Sequence, residues 1–189
     1  MRRRRHIWQK LGDLCLGLAP NTSRDAVVWR VATPHDTDAL GGLMLNAYRG
    51  TLDDEGETLE QACDEVRRFF DGAFGPVEAL ACVVGEHAGQ LVSASLCCRW
   101  DGGGHSPAGP SQGRVPECAA RRLPDVPAAP LVAYAVTAPA YQGQRLGAIA
   151  GSLRALAQAG HARACAVITA GNLPSEATFR RLGFEALPD

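Results

Sequence analysis

The chain has 189 residues, and its 19 Lys+Arg against 20 Asp+Glu give a formal net charge of -1. This balance provides no overall attraction to nucleic acid or to a membrane surface. No apolar run approaches the ~20 residues that a membrane span requires. With 46% hydrophobic residues the chain can bury an ordinary core, and its length suits one domain with appendages.

The cysteines indicate the redox environment. There are seven, an odd number, and none are spaced as C-x-x-C, so the sequence gives no support for a thiolate zinc site and we expect no metal. Most lie in apolar segments, where a free thiol behaves as a small hydrophobic side chain. We therefore expect a reduced, cytoplasmic protein.

Periodicity and turn residues predict the elements in chain order. Residues 1–24 open with Met1 and four arginines and lack sustained periodicity, so we expect a flexible basic leader. The glycine- and proline-rich residues 101–130 predict a long irregular loop. The remaining predicted elements are a strand at 26–32, a helix from 34 to 49, an acidic turn at 53–57, a helix from 58 to 71, strands at 79–85, 90–100 and 131–137, a helix at 147–159, a strand at 164–169, a helix at 174–182 and a strand at 184–187. This β-α-α-β-β-β-α-β-α-β order predicts a single mixed α/β domain over 25–189.

The segment Tyr-Gln-Gly-Gln-Arg-Leu-Gly-Ala, over 141–148, lies between a predicted strand and a predicted helix. Such a turn presents several main-chain N–H groups and the positive end of the helix dipole to an anion such as a phosphate. The spacing matches neither the P-loop nor the dinucleotide fingerprint. Taken alone, the pattern is also typical of a purely structural turn.

Two segments together resemble a known family. Residues 135–147, Ala-Val-Thr-Ala-Pro-Ala-Tyr-Gln-Gly-Gln-Arg-Leu-Gly, resemble the acyl-CoA loop of GNAT-type N-acetyltransferases. Residues 170–184 are similar to that family's second signature: Asn172 follows a strand, Ser175 is the small residue three positions later, and Phe179 precedes Leu-Gly-Phe. The resemblance covers about residues 25–187 and implies a GNAT-like mixed sheet with splayed fourth and fifth strands, predicted at 131–137 and 164–169.

The resemblance implies that acetyl-CoA binds in the cleft between these two strands. A main-chain N–H near Val136 would stabilise the developing oxyanion, and the acceptor amine would attack the thioester directly. The residues it assigns to CoA are Val136, Thr137, Gln142, Gly143, Gln144, Arg145, Leu146, Gly147, Ala148, Asn172, Ser175 and Phe179.

Three features depart from the family pattern. Arg145 stands where the pattern has its first glycine, and Phe179 stands where many relatives have a tyrosine that protonates the departing thiolate. Water, Tyr134 or Tyr141 could replace that proton donor. The given sequence continues for five residues after Phe184, so we expect the family's usual final strand to come from elsewhere, with the leader, the long loop or another subunit as its possible sources.

The acceptor side is less determined. No general base is identified, because the four candidates lie only in predicted turns or loops: Glu86, His87, Asp101 and His105. The acidic turn, with Asp53, Asp54 and Glu57, is either a binding element for a cationic acceptor such as a polyamine or amino sugar, or a solvated turn.

The expected function is transfer of an acetyl group from acetyl-CoA to a primary amine of a small molecule, or of a peptide or protein. The alternative is a non-catalytic module that binds acyl-CoA. The expected partners are acetyl-CoA and an amine acceptor, without nucleic acid or membrane, and the expected assembly is a monomer or a homodimer.

Overall fold

A mixed β-sheet runs through the molecule and carries helices on both faces. The structure is a computed structural model that describes residues 5–16, 18, 27–100, 129–144 and 147–187. In these ranges seven strands and four helices follow in the order β1 (Arg5–Leu11), β2 (Val28–Val31), α1 (Thr37–Tyr48), α2 (Leu59–Phe70), β3 (Val83–His87), β4 (Gln90–Trp100), β5 (Ala129–Thr137), α3 (Ala148–Gln158), β6 (Arg163–Thr169), α4 (Leu173–Arg181) and β7 (Glu185–Ala186).

The strand order across the sheet is β2-β3-β4-β5-β6-β1-β7. Only β5 and β6 pair in parallel, and the other neighbours are antiparallel. Strand β4 is buried along almost its whole length because both faces of the sheet are covered. This architecture confirms the predicted single-domain mixed α/β fold.

Two hydrophobic clusters occupy the two faces of the sheet. Helices α1 and α2 contribute Leu40 and Phe69 to the first cluster, together with Leu96 of β4. Helices α3 and α4 contribute Leu153 and Phe179 to the second. In β4 and β6, neighbouring residues such as Leu96 and Cys97, or Cys165 and Ala166, enter opposite clusters, as the two-residue period of a strand requires.

Local sequence explains where the first two helices begin. Helix α2 begins with a capping box, in which Gln61 N–H donates to Thr58 Oγ1 (3.3 Å) and Thr58 N–H donates to Gln61 Oε1 (2.8 Å). Helix α1 is preceded by a short 3₁₀ turn over Pro34–Asp36, and Thr33 N–H donates to Asp36 Oδ2 (2.8 Å). Both caps satisfy N–H groups that a helix leaves without partners at its start.

The structure corrects the expected leader. Residues 5–11, assigned above to a flexible tail, form β1, which pairs with β6 along its whole length and with β7. The mainly polar residues of this segment do not predict a strand alone, and β6 provides the partner that orders it. Of the three possible sources of an additional strand, the structure therefore places the leader in the sheet, while residues 1–4, 17 and 19–24 of that leader lie outside the described residues.

Side chains of β1 explain why the strand is held there. The Arg180 guanidinium lies 5.3 Å from the centre of the Trp8 ring. Lys10 is buried, and its Nζ donates to Leu182 O (2.6 Å) at the end of α4 and to Leu16 O (2.7 Å). Burial lowers the pKa of Lys10. These contacts attach β1 to α4 as well as to the sheet.

Two predicted boundaries were also wrong. The strand expected at 79–85 is a 3₁₀ turn over Ala79–Ala81 followed by β3; Leu80 is exposed rather than buried, and a short apolar run does not distinguish a strand from a helical turn. The predicted loop at 101–130 ends earlier, because Ala129 and Pro130 already pair with β4. Residues 101–128 lie outside the described residues.

Candidate functional site

The gap between β5 and β6 is the main candidate site. The two strands pair only where β5 begins, at Leu131↔Cys165 and Val132↔Ala166. Opposite β4 the register shifts from Cys97↔Val132 to Leu96↔Tyr134, so Ala133 is an extra residue, a β-bulge that bends the strand. The carboxyl-terminal halves of β5 and β6 therefore diverge, and we call the gap between them the wedge. The splay predicted for these two strands is confirmed.

The register determines which main-chain groups of β5 face the wedge. Ala138 N–H donates to Val92 O (2.9 Å), which fixes the alternation of the antiparallel ladder. By this alternation the N–H and C=O groups of Val136 are directed toward β4, and those of Ala135 and Thr137 toward the wedge. Ser93 Oγ also donates to Val136 O (3.2 Å). The main-chain groups of Val136, predicted to contact the pantetheine arm, thus face β4, and those of its neighbours face the wedge. Sequence alone does not determine which alternate residues of a strand face each neighbouring strand.

The loop after β5 is tied to itself by two glutamine side chains. Gln142 Nε2 donates to Thr137 O (3.2 Å), and Gln144 Nε2 donates to Ala140 O (3.1 Å). Gly143 has a φ of +77°, which glycine adopts without strain. Arg145 and Leu146 lie outside the described residues.

The start of α3 lacks a side-chain cap. Gly147 is its N-cap residue and, as a glycine, has no side chain that could accept from the first N–H groups. The first turn carries no acidic residue, and the helix begins with the buried Ala148. The first N–H groups of a helix have no partner within it and carry the positive end of the dipole. The loop from Gln142 and this first turn, which we call the α3 cradle, are therefore suited to bind an anion.

The opposite side of the wedge is held by the turn between α1 and α2. Thr169, the last residue of β6, donates its hydroxyl hydrogen to Asp53 Oδ1 (2.6 Å), and Asn172 Nδ2 donates to Asp53 Oδ2 (2.7 Å). Asn172 Oδ1 accepts from Ser175 N–H (3.2 Å). The structure thus brings together Asp53, predicted for the acceptor, and Asn172 and Ser175, predicted for CoA. Because both ends of the Asn172 amide are engaged, this side chain positions the end of β6.

The other two acidic residues predicted for the acceptor stabilise their own turn. Asp54 accepts from Gly50 N–H (2.7 Å) and Gly56 N–H (2.9 Å). Glu57 accepts from the N–H of Glu55 (3.3 Å). These contacts favour the solvated-turn alternative for Asp54 and Glu57.

Tyr134 lies beside the bulge, and its side chain contacts α2. Its hydroxyl donates to Glu65 Oε1 (2.6 Å), and its ring packs edge-on against Phe69 and Phe74, with centroids 5.9 Å and 6.1 Å away. Burial, and then the Glu65 carboxylate, raise the pKa of Tyr134 well above its usual value. Sequence reasoning missed Glu65, although it lies three residues after Ala62 and four before Phe69 on the buried side of α2.

The remaining candidates have structural partners or lie outside the described residues. Tyr141 Oη and His87 Nδ1 share a hydrogen bond (2.6 Å), and Glu86 pairs with Arg30 (3.5 Å). Phe179 is buried, with its ring perpendicular to that of Phe184 at 5.0 Å. The side chain at position 179 therefore belongs to the core. Asp101 and His105 fall in the undescribed segment.

Comparison with known proteins finds similarity in structure only. No family model and no curated protein match the sequence. A GCN5-related N-acetyltransferase from Sphaerobacter thermophilus is similar with a TM-score of 0.58 and 13% identity, covering 98% of this chain and 50% of that one. An aminoglycoside N-acetyltransferase in complex with CoA also has a TM-score of 0.58 and 13% identity, covering 91% and 95%. A transcriptional regulator from Bacillus halodurans C-125 has a TM-score of 0.57 and 15% identity, covering 86% and 95%.

The chain has the GNAT fold. It spans about half the length of the Sphaerobacter thermophilus structure.

On this GNAT fold, the predicted site residues separate into three places: the α3 cradle, the β5 side of the wedge and the β6 side with Asp53. Phe179 lies apart from all three, in the core. Within the described ranges, no group of three or more His, Cys, Asp or Glu side chains is arranged to hold a metal ion. None of the helices seen there is long and apolar enough to cross a membrane.

Proposed function

We propose that this protein transfers an acetyl group from acetyl-CoA to a primary amine by direct attack. The observation that carries the proposal is the wedge, whose open end lies beside a helix start without a side-chain cap. A diphosphate needs several N–H donors converging on one point, and a pantetheine arm needs an unpaired strand edge. Along the chain, the free edge of β5 is followed directly by the loop and the start of α3.

The order of the elements around the wedge supports this substrate. The α3 cradle, from Gln142 to Ala148 and including Arg145 and Leu146, would hold the diphosphate by main-chain N–H groups. Strand β5 would bind the arm through main-chain groups of Thr137 and Ala135. At ~3.3 Å per residue, Thr137 and Tyr134 are separated by roughly 10 Å of strand, which directs the acyl end of an extended arm to the bulge.

The wedge would promote the reaction by orientation and by polarisation. Holding the amine and the thioester together can supply ~7–11 kcal/mol of the barrier. An N–H of β5 beside the bulge, with Ala135 as the first candidate, would stabilise the negative charge that develops on the carbonyl oxygen. CoA leaves as a thiolate, and because a thiol has a pKa of ~8.5, it can depart without a proton from position 179, although a donor there would accelerate the step.

The acceptor would enter on the face of the sheet covered by α1 and α2. The carboxylates of the turn leading into α2, Asp53, Asp54 and Glu57, are bound within the protein, but their negative charge still gives this entrance a potential that favours a cation. The proposed acceptor is therefore a small amine such as a polyamine or amino sugar, and an amine of a peptide or protein is the wider class.

A second candidate function is binding of acyl-CoA without transfer. The observation that favours it is Phe179, which has no proton to give and whose ring packs against Phe184. A protein of this kind would keep the α3 cradle and the wedge and would have a sensing or regulatory role.

The test separates the two candidates. CoA and acetyl-CoA should stabilise the purified protein against heat, and acetyl-CoA with a panel of amines should release free CoA thiol. Binding without thiol release with any amine or peptide would support the binding module. Absence of both would exclude both functions.

The proposed compartment is the cytoplasm, and the support comes from the thiols. Among the described residues, the thiols of Cys15, Cys63, Cys82, Cys97 and Cys165 are free. Burial raises the pKa of Cys82 and of Cys165 to about 11, so these thiols are protonated and serve as core side chains.

A further inference from the structure

The proposed function leaves one chemical requirement without a residue. An alkylammonium with a pKa of ~10 must lose a proton before its nitrogen attacks a thioester. A group that takes this proton has to lie near the acyl end of the arm, on the face where the acceptor enters. With the diphosphate at the α3 cradle, the acyl end of the arm falls near the bulge, beside Tyr134.

Glu65 is the carboxylate that the structure places at this point. Its Oε1 accepts the Tyr134 hydroxyl hydrogen at 2.6 Å, and its side chain remains 29% exposed. It stands one helical turn closer to the start of α2 than the buried Phe69. Because the turn before α2 contacts the end of β6 through Asp53, the start of α2 points to the open end of the wedge. Glu65 is thus fixed on one side and accessible on the other.

Few charged or titratable groups of the described residues surround this pair. Arg68, on the same helix, has its Nη1 3.9 Å from Glu65 Oε2. Tyr48 of α1 and Cys98 of β4 lie near the Tyr134 phenol. Arg68 is the one cation among these groups, and the Tyr134 hydroxyl donates to the carboxylate.

The other carboxylates near the wedge are already occupied. Asp53 accepts one hydrogen bond on each oxygen, from Thr169 and Asn172. Asp54 accepts from two main-chain N–H groups of its own turn. Glu65 Oε1 accepts from Tyr134, and Arg68 Nη1 lies 3.9 Å from Glu65 Oε2. The second oxygen can therefore accept a hydrogen bond from an ammonium group.

We infer that Glu65 binds the ammonium of the acceptor and removes its proton, and that Tyr134 is a positioning residue that holds the carboxylate toward the wedge. This inference rests on the proposed acetyl transfer. The Glu65 carboxylate takes one proton from R-NH₃⁺, and the nitrogen lone pair forms the C–N bond as the C–S bond breaks. The thiolate of CoA takes up the second proton released by the nitrogen, and the proton on Glu65 returns to solvent. The products are the amide, CoA thiol and one proton.

The experiment compares three variants of the whole chain. Glu65→Gln keeps an oxygen that accepts from Tyr134 but removes the charge, and Tyr134→Phe keeps the charge but removes the tether. Glu60→Gln is the matched control, since Glu60 is an exposed carboxylate on the same helix. The measurements are the Kd of CoA, the stabilisation by amine of the CoA-bound protein, and the pH profile of kcat/KM.

We expect Glu65→Gln to lower kcat/KM by about 10²–10³-fold at pH 7, as for loss of a general base. The deficit should shrink as the pH rises toward the pKa of the amine, which then loses its proton without help. Tyr134→Phe should cost about tenfold and Glu60→Gln less than about twofold, judged by the same scale. All three should bind CoA as the unchanged protein does.

Failure of the proposed function and failure of the Glu65 assignment give different results. If the unchanged protein does not bind CoA, the proposed function itself falls. If it turns over amines and Glu65→Gln retains more than a third of kcat/KM, or loses activity equally at every pH, the assignment of Glu65 is overturned. It is also overturned if the CoA-bound protein shows neither turnover nor stabilisation with any amine.

Discussion

Helices α3 and α4 begin at equivalent places in the fold, but only α4 has a side-chain cap at its start. Each follows one of the two parallel strands, β5 or β6, at the same edge of the sheet. At α4, Asn172 caps the first turn and Glu176 Oε1 accepts from Gly171 N–H (3.0 Å). At α3, Gly147 occupies the N-cap position without a side-chain bond, and no acidic residue follows in the first turn.

The difference shows how one kind of strand–helix junction can have two uses. A polar side chain at the N-cap fills the positions where an anion would accept from the first N–H groups. With Asn172 and Glu176, the junction after β6 is closed by the protein itself and holds Asp53. With Gly147, the junction after β5 has no such side chain, and in the proposed function the same groups bind the diphosphate. The two residue types at the N-cap therefore distinguish a structural joint from the proposed binding site.

The largest effect is expected from giving α3 a side-chain cap like that of α4. Gly147→Asp places a carboxylate at the N-cap, where the backbone has a φ of -91° that any residue adopts. Because the new charge occupies and repels the diphosphate position, the Kd of CoA should rise about 100-fold, while the cap should keep or raise the Tm. Isothermal titration with CoA and thermal unfolding check the two halves of this prediction.

Gly147→Asn is the matched control, since it caps without a charge. Its Kd should lie between those of the unchanged protein and of Gly147→Asp. Equal CoA affinity in all three proteins would show that the diphosphate does not bind at the start of α3.

The converse change removes the side-chain cap of α4. Asn172→Ala removes the cap and one donor to Asp53, so the free energy of unfolding should fall by about 1 kcal/mol, with the upper range near 2. The Kd of CoA should change less than about threefold if Asn172 positions β6 without touching the arm. Urea unfolding and CoA titration of the same preparation measure both. A loss of CoA affinity larger than tenfold in a folded variant would restore the pantetheine contact that the family resemblance implies.

Patterns that depend on neighbouring residues predicted much of this fold. The capping box of Thr58 and Gln61, strand β4 over 90–100 and the glycine-containing turn before α3 all follow from local chemistry, and the structure contains each of them. The splay of two strands was predicted only through the family resemblance. No local pattern identifies a β-bulge such as that at Ala133, because it depends on the register of a partner strand.

Features that depend on distant partners were missed for the same reason. Strand β1 has little strand pattern and is ordered by β6, and Lys10 is buried because carbonyl groups of Leu16 and Leu182 accept from it. The direction of the Val136 main-chain groups is fixed by the bond from Ala138 to Val92. Glu65 resembles any acidic residue of an amphipathic helix until Tyr134 is found beside it.

The start of α1 has a third arrangement, and changing it is expected to have the smallest effect. Before α1, the Arg30 guanidinium donates to both oxygens of Asp36 (2.9 Å and 2.6 Å), and Thr33 N–H donates to one of them (2.8 Å). The hydrogen bonds from Arg30, followed by that from Thr33 N–H, hold the pKa of Asp36 below its ordinary value of 3.8, against the effect of burial. Since the folded pKa lies below the unfolded one, the contribution to stability is present above that ordinary value and is lost as the pH falls through the folded value.

Asp36→Asn should therefore be less stable than the unchanged protein by about 1 kcal/mol near pH 7, a value reduced by solvent screening of the partly exposed Arg30. Near pH 3 and below, the difference should diminish, because protonation makes Asp36 neutral as the amide is. Urea unfolding of both proteins at each pH measures it, and taking the difference cancels the titration of the other carboxylates. A gap that stays constant from pH 7 to pH 3 would mean that the cap to Thr33, and not the charge pair with Arg30, stabilises this helix start.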